Sequence, residues 1–397
     1  MSEWKKVKFL DVISLNPRIS LEKGVEYPFV EMSNAVPGAR RPEKDVYQKY
    51  SGGGAKFEEG DTVVARIEPC LQNGKGFQCS YKKGFGSTEF LVFRPMNIKE
   101  MDYNFLYYYM GQQSIREAMA KTMVGASGRQ RVNNAVFNDL QIHLPPLSIQ
   151  QDIATILSRY DSLIENYQKQ IKLLEEAAQR LYKEWFVDLH FPGHENTKTV
   201  DGVPEGWEKK KIGDVVKTTS GGTPSRSNSN YYSGNIMWVK TKELMDGFIF
   251  DTEEKITQEA INKSSAKIVP EASILLAMYG ATIGKLGIAS KELSCNQACC
   301  VLLLSKDNPL RWYLFNWLLL NREFLISQGK GAAQPNLSQD MIRKFELVVP
   351  DDNTLLSYHR LVNVLYMKIK PLQSQISLLT EARDRLLPKL MSGEIAV

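Results

Sequence analysis

Apolar residues between positions 149 and 185 recur at spacings of three and four. They are Ile149, Ile153, Ile156, Tyr160, Leu163, Tyr167, Ile171, Leu174, Ala178, Leu181 and Trp185. This spacing predicts one long helix with a single apolar seam, the heptad pattern typical of a coiled coil, with one stutter. The proline pair of the sequence HLPPL, which ends at residue 147, marks the start of this helix.

A second seam runs towards the end of the chain. It is formed by Tyr358, Leu361, Leu365, Ile369, Leu372, Ile376, Leu379 and Leu386, and Arg383 interrupts it near its end. The first helix contains QKQIKLLEEAAQRL at residues 168–181, and the second contains QSQISLLTEARDRL at residues 373–386, with nine of fourteen positions identical. Unrelated sequences share roughly one position in such a stretch. The chain therefore contains two copies of one unit.

Each long helix follows a globular segment of the same internal order. Both segments contain short β-type stretches bounded by glycine, such as GDTVVARI and EASILLAM, and then an aromatic-rich helical stretch and a proline stop. We predict a mixed α/β (α+β) fold for both. The predicted organisation is globule 1–147, helix 148–186, globule 187–353 and helix 354–397.

Two single seams in one chain most simply bury each other. An antiparallel pair of helices with a pseudo-two-fold axis would place one globule at each end, whereas a parallel pair would place the globules side by side. In a third arrangement each helix packs only on its own globule. We predict the antiparallel pair, because long narrow seams are typical of helix pairs.

Composition and charge restrict the function classes only weakly. The 397 residues carry 50 Lys and Arg against 45 Asp and Glu, a net charge of +5, so any contact with nucleic-acid phosphates must come from local clusters. No signal segment is visible, and the apolar stretch WYLFNWLLL is too short to span a membrane, so we expect a cytoplasmic protein. The five cysteines lack metal-ligand spacing, so we expect buried thiols and no metal or other cofactor.

Catalytic motifs are missing from the sequence. The stretch GATIGKLG resembles a phosphate-binding loop, but its glycines are separated by three residues and Leu286 follows Lys285 where Ser or Thr is required. The four histidines lie beside no nucleophile pattern. We therefore predict a protein that is not an enzyme.

Three stretches together resemble one known family. They are PPLSIQQDIATILSRYDSLIENYQKQIKLLEEAAQRLYKEWF, GGTPSRSNSNYYSGNIMWVKTKEL and LLPKLMSGEI. They are similar to the specificity subunit of type I restriction-modification systems, and the resemblance covers nearly the whole chain. It implies two target-recognition domains that read the two halves of a split double-stranded DNA sequence, with conserved spacer helices that set the gap. It also implies that the subunit recruits two methyltransferase subunits and, through the complex, motor-nuclease restriction subunits.

Several loop residues are candidates for DNA contact. Arginine, amide and hydroxyl side chains in glycine-rich loops suit both phosphates and base edges. The candidates are Arg66, Lys75, Arg129, Gln130, Arg131, Thr223, Ser225, Arg226, Tyr231, Tyr232, Lys285, Gln334 and Asn336. For each of them the alternative is an ordinary solvated loop or a salt bridge within the protein.

The charged faces of the helices are candidates for partner contact. We expect Arg159, Glu165, Lys169, Lys172, Arg180 and Lys183 to bind the methyltransferase, and we place Asp161 and Glu175 on the same outward face. A competing hypothesis is a duplicated coiled-coil scaffold that binds proteins and not DNA. Binding to random duplex DNA separates the two, because DNA binding is strongly salt-dependent.

Overall fold

The computed structural model describes residues 4–329 and 336–397. The chain divides into two compact units. Unit 1 comprises Met1–Asn166 and Ser377–Val397, and unit 2 comprises Tyr167–Ile376. Each unit therefore contains one globular part and one half of each long helix.

Unit 1 begins with a globular part of short strands and helices. Its strands are β1 (Lys5–Lys8), β2 (Ile13–Leu15), β3 (Glu26–Val30), β4 (Tyr47–Lys49), β5 (Ala55–Glu58), β6 (Thr62–Ala65), β7 (Gly76–Gln78), β8 (Lys83–Gly86), β9 (Phe90–Pro95) and β10 (Gln141–Leu144). The helices are α1 (Phe9–Val12), α2 (Tyr103–Met110), α3 (Gln113–Ala120), α4 (Val136–Asp139) and the long α5 (Leu147–Phe186). The strands form sheets in the orders β2-β9-β6-β7 and β4-β3-β8-β5, and β1 pairs with β10.

Unit 2 contains the remaining elements. Its strands are β11 (Thr199–Val200), β12 (Val203–Pro204), β13 (Glu208–Lys211), β14 (Thr218–Ser220), β15 (Ile236–Val239), β16 (Gly247–Ile249), β17 (Lys255–Ile256), β18 (Ile274–Ala277), β19 (Leu286–Ala289), β20 (Ser294–Cys295), β21 (Cys299–Leu302) and β22 (Glu346–Val349). The α-helices are α6 (Ile212–Val215), α7 (Gln258–Asn262), α8 (Leu310–Leu320), α9 (Arg322–Ser327) and α10 (Gln339–Lys344), and the long α11 (Asp352–Met391) begins in unit 2 and ends in unit 1. Short 3-10 helices lie at His194–Asn196, Ser229–Tyr232 and Thr241–Glu243.

The two globular parts share one strand arrangement. The sheet order β2-β9-β6-β7 in unit 1 matches β14-β21-β18-β19 in unit 2, where β16 adds a further edge strand parallel to β19. The parallel pair of β3 with β8 likewise matches the parallel pair of β15 with β20. The first and last strands of each part pair with each other, β1 with β10 and β13 with β22. The internal duplication inferred from the helices therefore extends through the globular parts.

The long helices pack antiparallel within each unit. In unit 1, Ile153 near the start of α5 shares a core with Leu390 near the end of α11. In unit 2, the ring of Tyr182 near the end of α5 lies 6.2 Å from that of Tyr358 near the start of α11, measured between ring centroids. The start of each helix thus lies beside the end of the other, as the prediction of an antiparallel pair requires.

The buried face of each helix differs from the predicted seam. Leu163 and Leu361 were placed in the seams, but they are 42% and 52% exposed, while their neighbours Ile164 and Val362 are buried. Each helix half also packs against its own globular part: in unit 1 the α5 residue Leu157 shares a core with Phe105 of α2. A helix that covers both a partner helix and a domain buries a wider stripe than a narrow heptad seam.

Two charged residues lie inside the helix pair of unit 1. Asp161 was placed on the outward face, but it is only 3% exposed, and Arg383, which interrupts the second seam, is 8% exposed. Their side chains form an ion pair of 2.6 Å. The Tyr108 hydroxyl donates to Asp161, and Arg383 also donates to the Gly38 carbonyl at 2.9 Å. The apparent break in the seam is therefore a buried polar contact between the helices.

Candidate nucleic-acid interface

The glycine-rich loop of unit 2 is built around a buried tryptophan. Trp238 on β15 is buried, and its indole Nε1 donates to the Gly222 carbonyl at 3.0 Å. The Tyr232 hydroxyl donates to the Pro224 carbonyl at 2.7 Å. A side chain at Gly222 would place its Cβ 2.3 Å from the Ser265 carbonyl carbon, so this close approach requires glycine. The loop is a shaped element held by the domain core.

Arg226 projects from this loop over an aromatic surface. Its guanidinium carbon lies 4.1 Å from the ring centroid of Tyr232 and 5.2 Å from that of Trp238. Its Nη1 also forms a 2.7 Å ion pair with Glu254, which accepts a second bond of 2.6 Å from Lys240. Burial raises the pKa of Glu254, but the hydrogen bonds from Lys240 and Arg226 outweigh it and leave that pKa below its ordinary value. The position of Arg226 at the surface is thus fixed by its contacts with the Tyr232 and Trp238 rings and by its ion pair with Glu254.

Three further candidates lie in the same loop region. Thr223 is exposed, and its hydroxyl donates to Gln297. Ser225 is exposed and shares a 2.7 Å hydrogen bond with Ser227, while Tyr231 is half-buried. The structure therefore brings together all the candidates of this loop, and their contact with DNA remains a prediction.

In unit 1 the candidate arginines line a surface concavity. Arg66 and Arg131 line it together with Asn133 and Asn134. Arg66 follows β6 and donates to the Val132 carbonyl at 3.2 Å. Two asparagine amides beside two guanidinium groups provide both donors and acceptors, as base edges require.

Arg131 is paired with a neighbouring carboxylate. Its Nη2 lies 2.6 Å from Glu89, and hydrogen bonds from Arg131 lower the pKa of Glu89. The nearby Arg129 is exposed, and Gln130 donates weakly to the Gly125 carbonyl at 3.5 Å. These three residues lie in one loop, whose ends are joined by backbone hydrogen bonds of 3.0 Å in both directions between Val124 and Arg131.

The two turn lysines have partners within the protein. Lys75 donates to the Met32 carbonyl at 2.9 Å, and Lys285 forms a 2.7 Å ion pair with Asp246. Both are half-buried, so neither lies in a freely solvated turn. Asn336 is exposed, and Gln334 lies outside the described residues.

The predicted partner-binding face is only partly as expected. Arg159, Lys169, Lys172, Arg180 and Lys183 are exposed on α5, and Lys172 lies 4.0 Å from Glu176. Glu165 is half-buried, and its Oε1 atom is shielded from solvent and makes no hydrogen bond with any described residue. Glu175, also placed on the outward face, instead lines a cavity.

Sequence reasoning missed the acidic partners of the arginines. Glu254 holds Arg226, and Glu89 holds Arg131. Their partners lie 28 and 42 positions away in the sequence, so no local pattern indicated them.

Among residues 4–329 and 336–397, no three His, Cys, Asp or Glu side chains are grouped so that they can hold a metal ion. Within the same residues, every helix is too short or too polar to cross a membrane.

Comparison with known proteins decides the family. A family described as the type I restriction modification DNA specificity domain matches the chain over two segments, residues 1–176 and 204–357. The chain belongs to this family. Each of the two repeats thus corresponds to one specificity domain, which confirms the resemblance seen in the sequence. Specificity subunits are non-catalytic components that bind DNA and work with methyltransferase and restriction subunits. Membership of this family confirms the prediction that the chain is not an enzyme.

Individual specificity subunits are similar along most or all of the chain. The MjaIX specificity subunit of Methanocaldococcus jannaschii is 29% identical over 299 residues, which cover 74% of this chain and 69% of that protein. The HindI specificity subunit of Haemophilus influenzae is 24% identical, with 100% of both chains covered. The crystal structure of the type I S subunit from M. genitalium has the same fold, with a TM-score of 0.61 and 17% identity over 98% of this chain and 96% of that one.

Proposed function

We propose that each globular part of this specificity subunit reads one half of a bipartite DNA target. The observation that carries the proposal is the double match to the specificity domain, once in each repeat. The helix pair, antiparallel in each unit, sets the number of unread base pairs between the two halves. A helical pair suits this role because half-sites on one face of B-DNA lie about 34 Å apart per helical turn, and a fixed gap needs a stiff connection.

The loops around Arg226 and Arg131 are the proposed reading surfaces. Both arginines lie on glycine-containing loops: the first is held by the bond from the Trp238 indole to the Gly222 carbonyl, the second by backbone hydrogen bonds between Val124 and Arg131. A guanidinium group binds the O6 and N7 atoms of guanine with two hydrogen bonds, and each such pair discriminates by about 1–3 kcal/mol. In each case a glutamate from outside the loop fixes the arginine until DNA is bound.

The proposed complex contains two methyltransferase subunits, one for each repeat, together with restriction subunits, and acts in the cytoplasm. Because the repeats are related by an internal duplication, a partner that recognises one spacer helix has an equivalent place on the other. The exposed side chains Arg159, Lys169, Lys172, Arg180 and Lys183 provide the proposed contact on α5.

Methylation mapping tests the proposed function. The assembled methyltransferase is expressed with the intact chain, Arg226→Ala, Arg131→Ala or the control Arg385→Ala, which alters an exposed arginine on α11 paired with its helix neighbour Glu381. We expect Arg226→Ala to relax one half of the methylated motif, Arg131→Ala the other half, and Arg385→Ala neither. A motif that is not split into two halves, or one whose two halves change together, would contradict the proposal.

A further inference from the structure

A cavity of about 360 Å³ lies in unit 2 between both long helices and the helix α8. It is lined by Glu175, Gln179 and Tyr182 of α5, by Tyr366 of α11, by Phe315, Asn316, Leu319 and Leu320 of α8, and by Asp246 and Arg322. We call it the Glu175 cavity. Its size is within the range of small-molecule sites in proteins.

The charged groups of the Glu175 cavity are unevenly paired. Asp246 forms ion pairs with both Lys285 and Arg322. Glu175, in contrast, has no hydrogen bond or ion pair with any residue in the described part of the chain. Both cations therefore lie on Asp246, and Glu175 is the carboxylate of the lining without a direct partner, so the nitrogen of a positively charged ligand would bind there.

The remaining walls favour an aliphatic ligand. The rings of Tyr182, Phe315 and Tyr366 are buried at the wall, and Leu320 is 56% exposed. Aromatic faces attract cations, and apolar side chains accept alkyl chains. The Asn316 amide is already engaged, since its oxygen accepts from Tyr366 and its nitrogen donates to Tyr358. The lining thus combines one available carboxylate with aromatic and aliphatic surface.

The duplication indicates that this carboxylate is specific to unit 2. In unit 1 the residue equivalent to Glu175 is Thr380, in the repeated phrase at residues 373–386. The Glu175 carboxylate is thus not part of the packing that the two copies share.

We propose that the Glu175 cavity binds an aliphatic ammonium group. The group is supplied either by a free amine or by a lysine side chain of an assembly partner, and in both cases its nitrogen contacts the Glu175 carboxylate while its alkyl chain lies along Leu319 and Leu320. The site is separate from the proposed reading loops, so it does not depend on how the DNA target is read.

The protonation of Glu175 agrees with this assignment. Burial, with a further contribution from the negative charge of Asp246, raises the pKa of Glu175 to about 7. An alkylammonium ion remains charged at this pH, since its pKa is near 10.4. Where Glu175 is protonated, the binding of an ammonium group displaces that proton.

Calorimetry of the intact chain tests the proposal with n-butylamine as the probe and n-butanol as the uncharged control. We expect n-butylamine to bind and n-butanol to bind at least about tenfold more weakly, because the n-butanol hydroxyl can donate to the carboxylate but carries no positive charge to attract it. Glu175→Gln should abolish the preference for the amine. Glu176→Gln removes the same charge from the next residue, which is exposed, and should leave the preference unchanged.

A second measurement needs no variant. Titrations at pH 7 in buffers of different ionisation enthalpy should show proton release by the intact chain on binding n-butylamine. Proton release on binding would support the proposal, and equal affinity for n-butylamine and n-butanol would overturn it.

The two sources of the ammonium group are distinguished in the assembled complex. If the methyltransferase supplies a lysine, the complex loses n-butylamine binding that the free chain shows. If a free amine is the ligand, the affinity is the same in both. Retention of the amine preference by Glu175→Gln in either state would refute the site.

Discussion

Arg383 of α11 donates to Asp161 of α5 across a 2.6 Å ion pair that lies almost entirely out of solvent. The duplication places Tyr366 and Ala178 at the equivalent positions of unit 2. There the Tyr366 ring stacks on Trp312 with 4.0 Å between ring centroids. The equivalent helix positions thus carry a buried ion pair in unit 1 and a stacked aromatic contact in unit 2. A buried ion pair at one position favours a single register of the helices, because any slip would leave a charge unpaired.

Replacing Arg383 with methionine should destabilise unit 1 strongly. The change leaves the Asp161 carboxylate buried without its cation, which costs about 3–5 kcal/mol. Chemical denaturation of the intact chain, followed by circular dichroism, measures the loss. The double variant Asp161→Leu with Arg383→Met removes both charges and should recover part of it. A double variant as unstable as Arg383→Met would show that packing, and not the stranded charge, causes the loss.

Replacing Gly222 with alanine should distort the loop that carries Arg226. The added Cβ would lie 2.3 Å from the Ser265 carbonyl carbon, so the backbone must move and the bond from Trp238 to the Gly222 carbonyl weakens. We expect the methylated motif to relax only in the half that depends on Arg226. Gly128→Ala is the comparison variant. Gly128, in a loop of unit 1, has a positive φ, but a Cβ added there meets nothing within 4 Å, so this variant shows the effect of backbone strain without a steric clash. Equal relaxation of both halves by Gly222→Ala would contradict a local effect.

Glu175→Gln should make stability less sensitive to pH. The pKa of Glu175 is raised from 4.5 to about 7, so its contribution to folding is fully present below about pH 4.5 and is lost as pH rises through 7. The charged groups that face it, Asp246 and Arg322, form an ion pair with each other. Between pH 5 and pH 8 the free energy of unfolding of the variant, relative to that of the intact chain, should rise by up to about 3 kcal/mol. Thermal melts at both pH values measure this gain, and Glu176→Gln should show none.

The sequence allowed the duplication and the antiparallel helices to be predicted because both depend on regular repetition along the chain. It did not allow the phase of the seams to be predicted, since Leu163 and Leu361 are exposed while Ile164 and Val362 are buried. A heptad pattern describes contact with one partner, and here each helix also covers a globular part. Asp161 was misplaced for a related reason, because its partner Arg383 lies 222 positions away. The candidate loops were found from glycine and arginine content, but the carboxylates that hold their arginines required the fold.

Removing the carboxylate beside Arg131 should strengthen non-specific DNA binding. Glu89→Gln releases the Arg131 guanidinium from its 2.6 Å ion pair and removes a negative charge beside the proposed reading surface. We expect higher affinity for random duplex DNA and a salt dependence that is steeper by about one phosphate contact. Fluorescence anisotropy over a series of salt concentrations measures both. Glu259→Gln breaks an exposed helical ion pair with Lys263 and serves as the matched control. If the two variants gave the same salt dependence, Arg131 would lie outside the DNA-contacting surface, because only a guanidinium at that surface changes the number of ions released on binding.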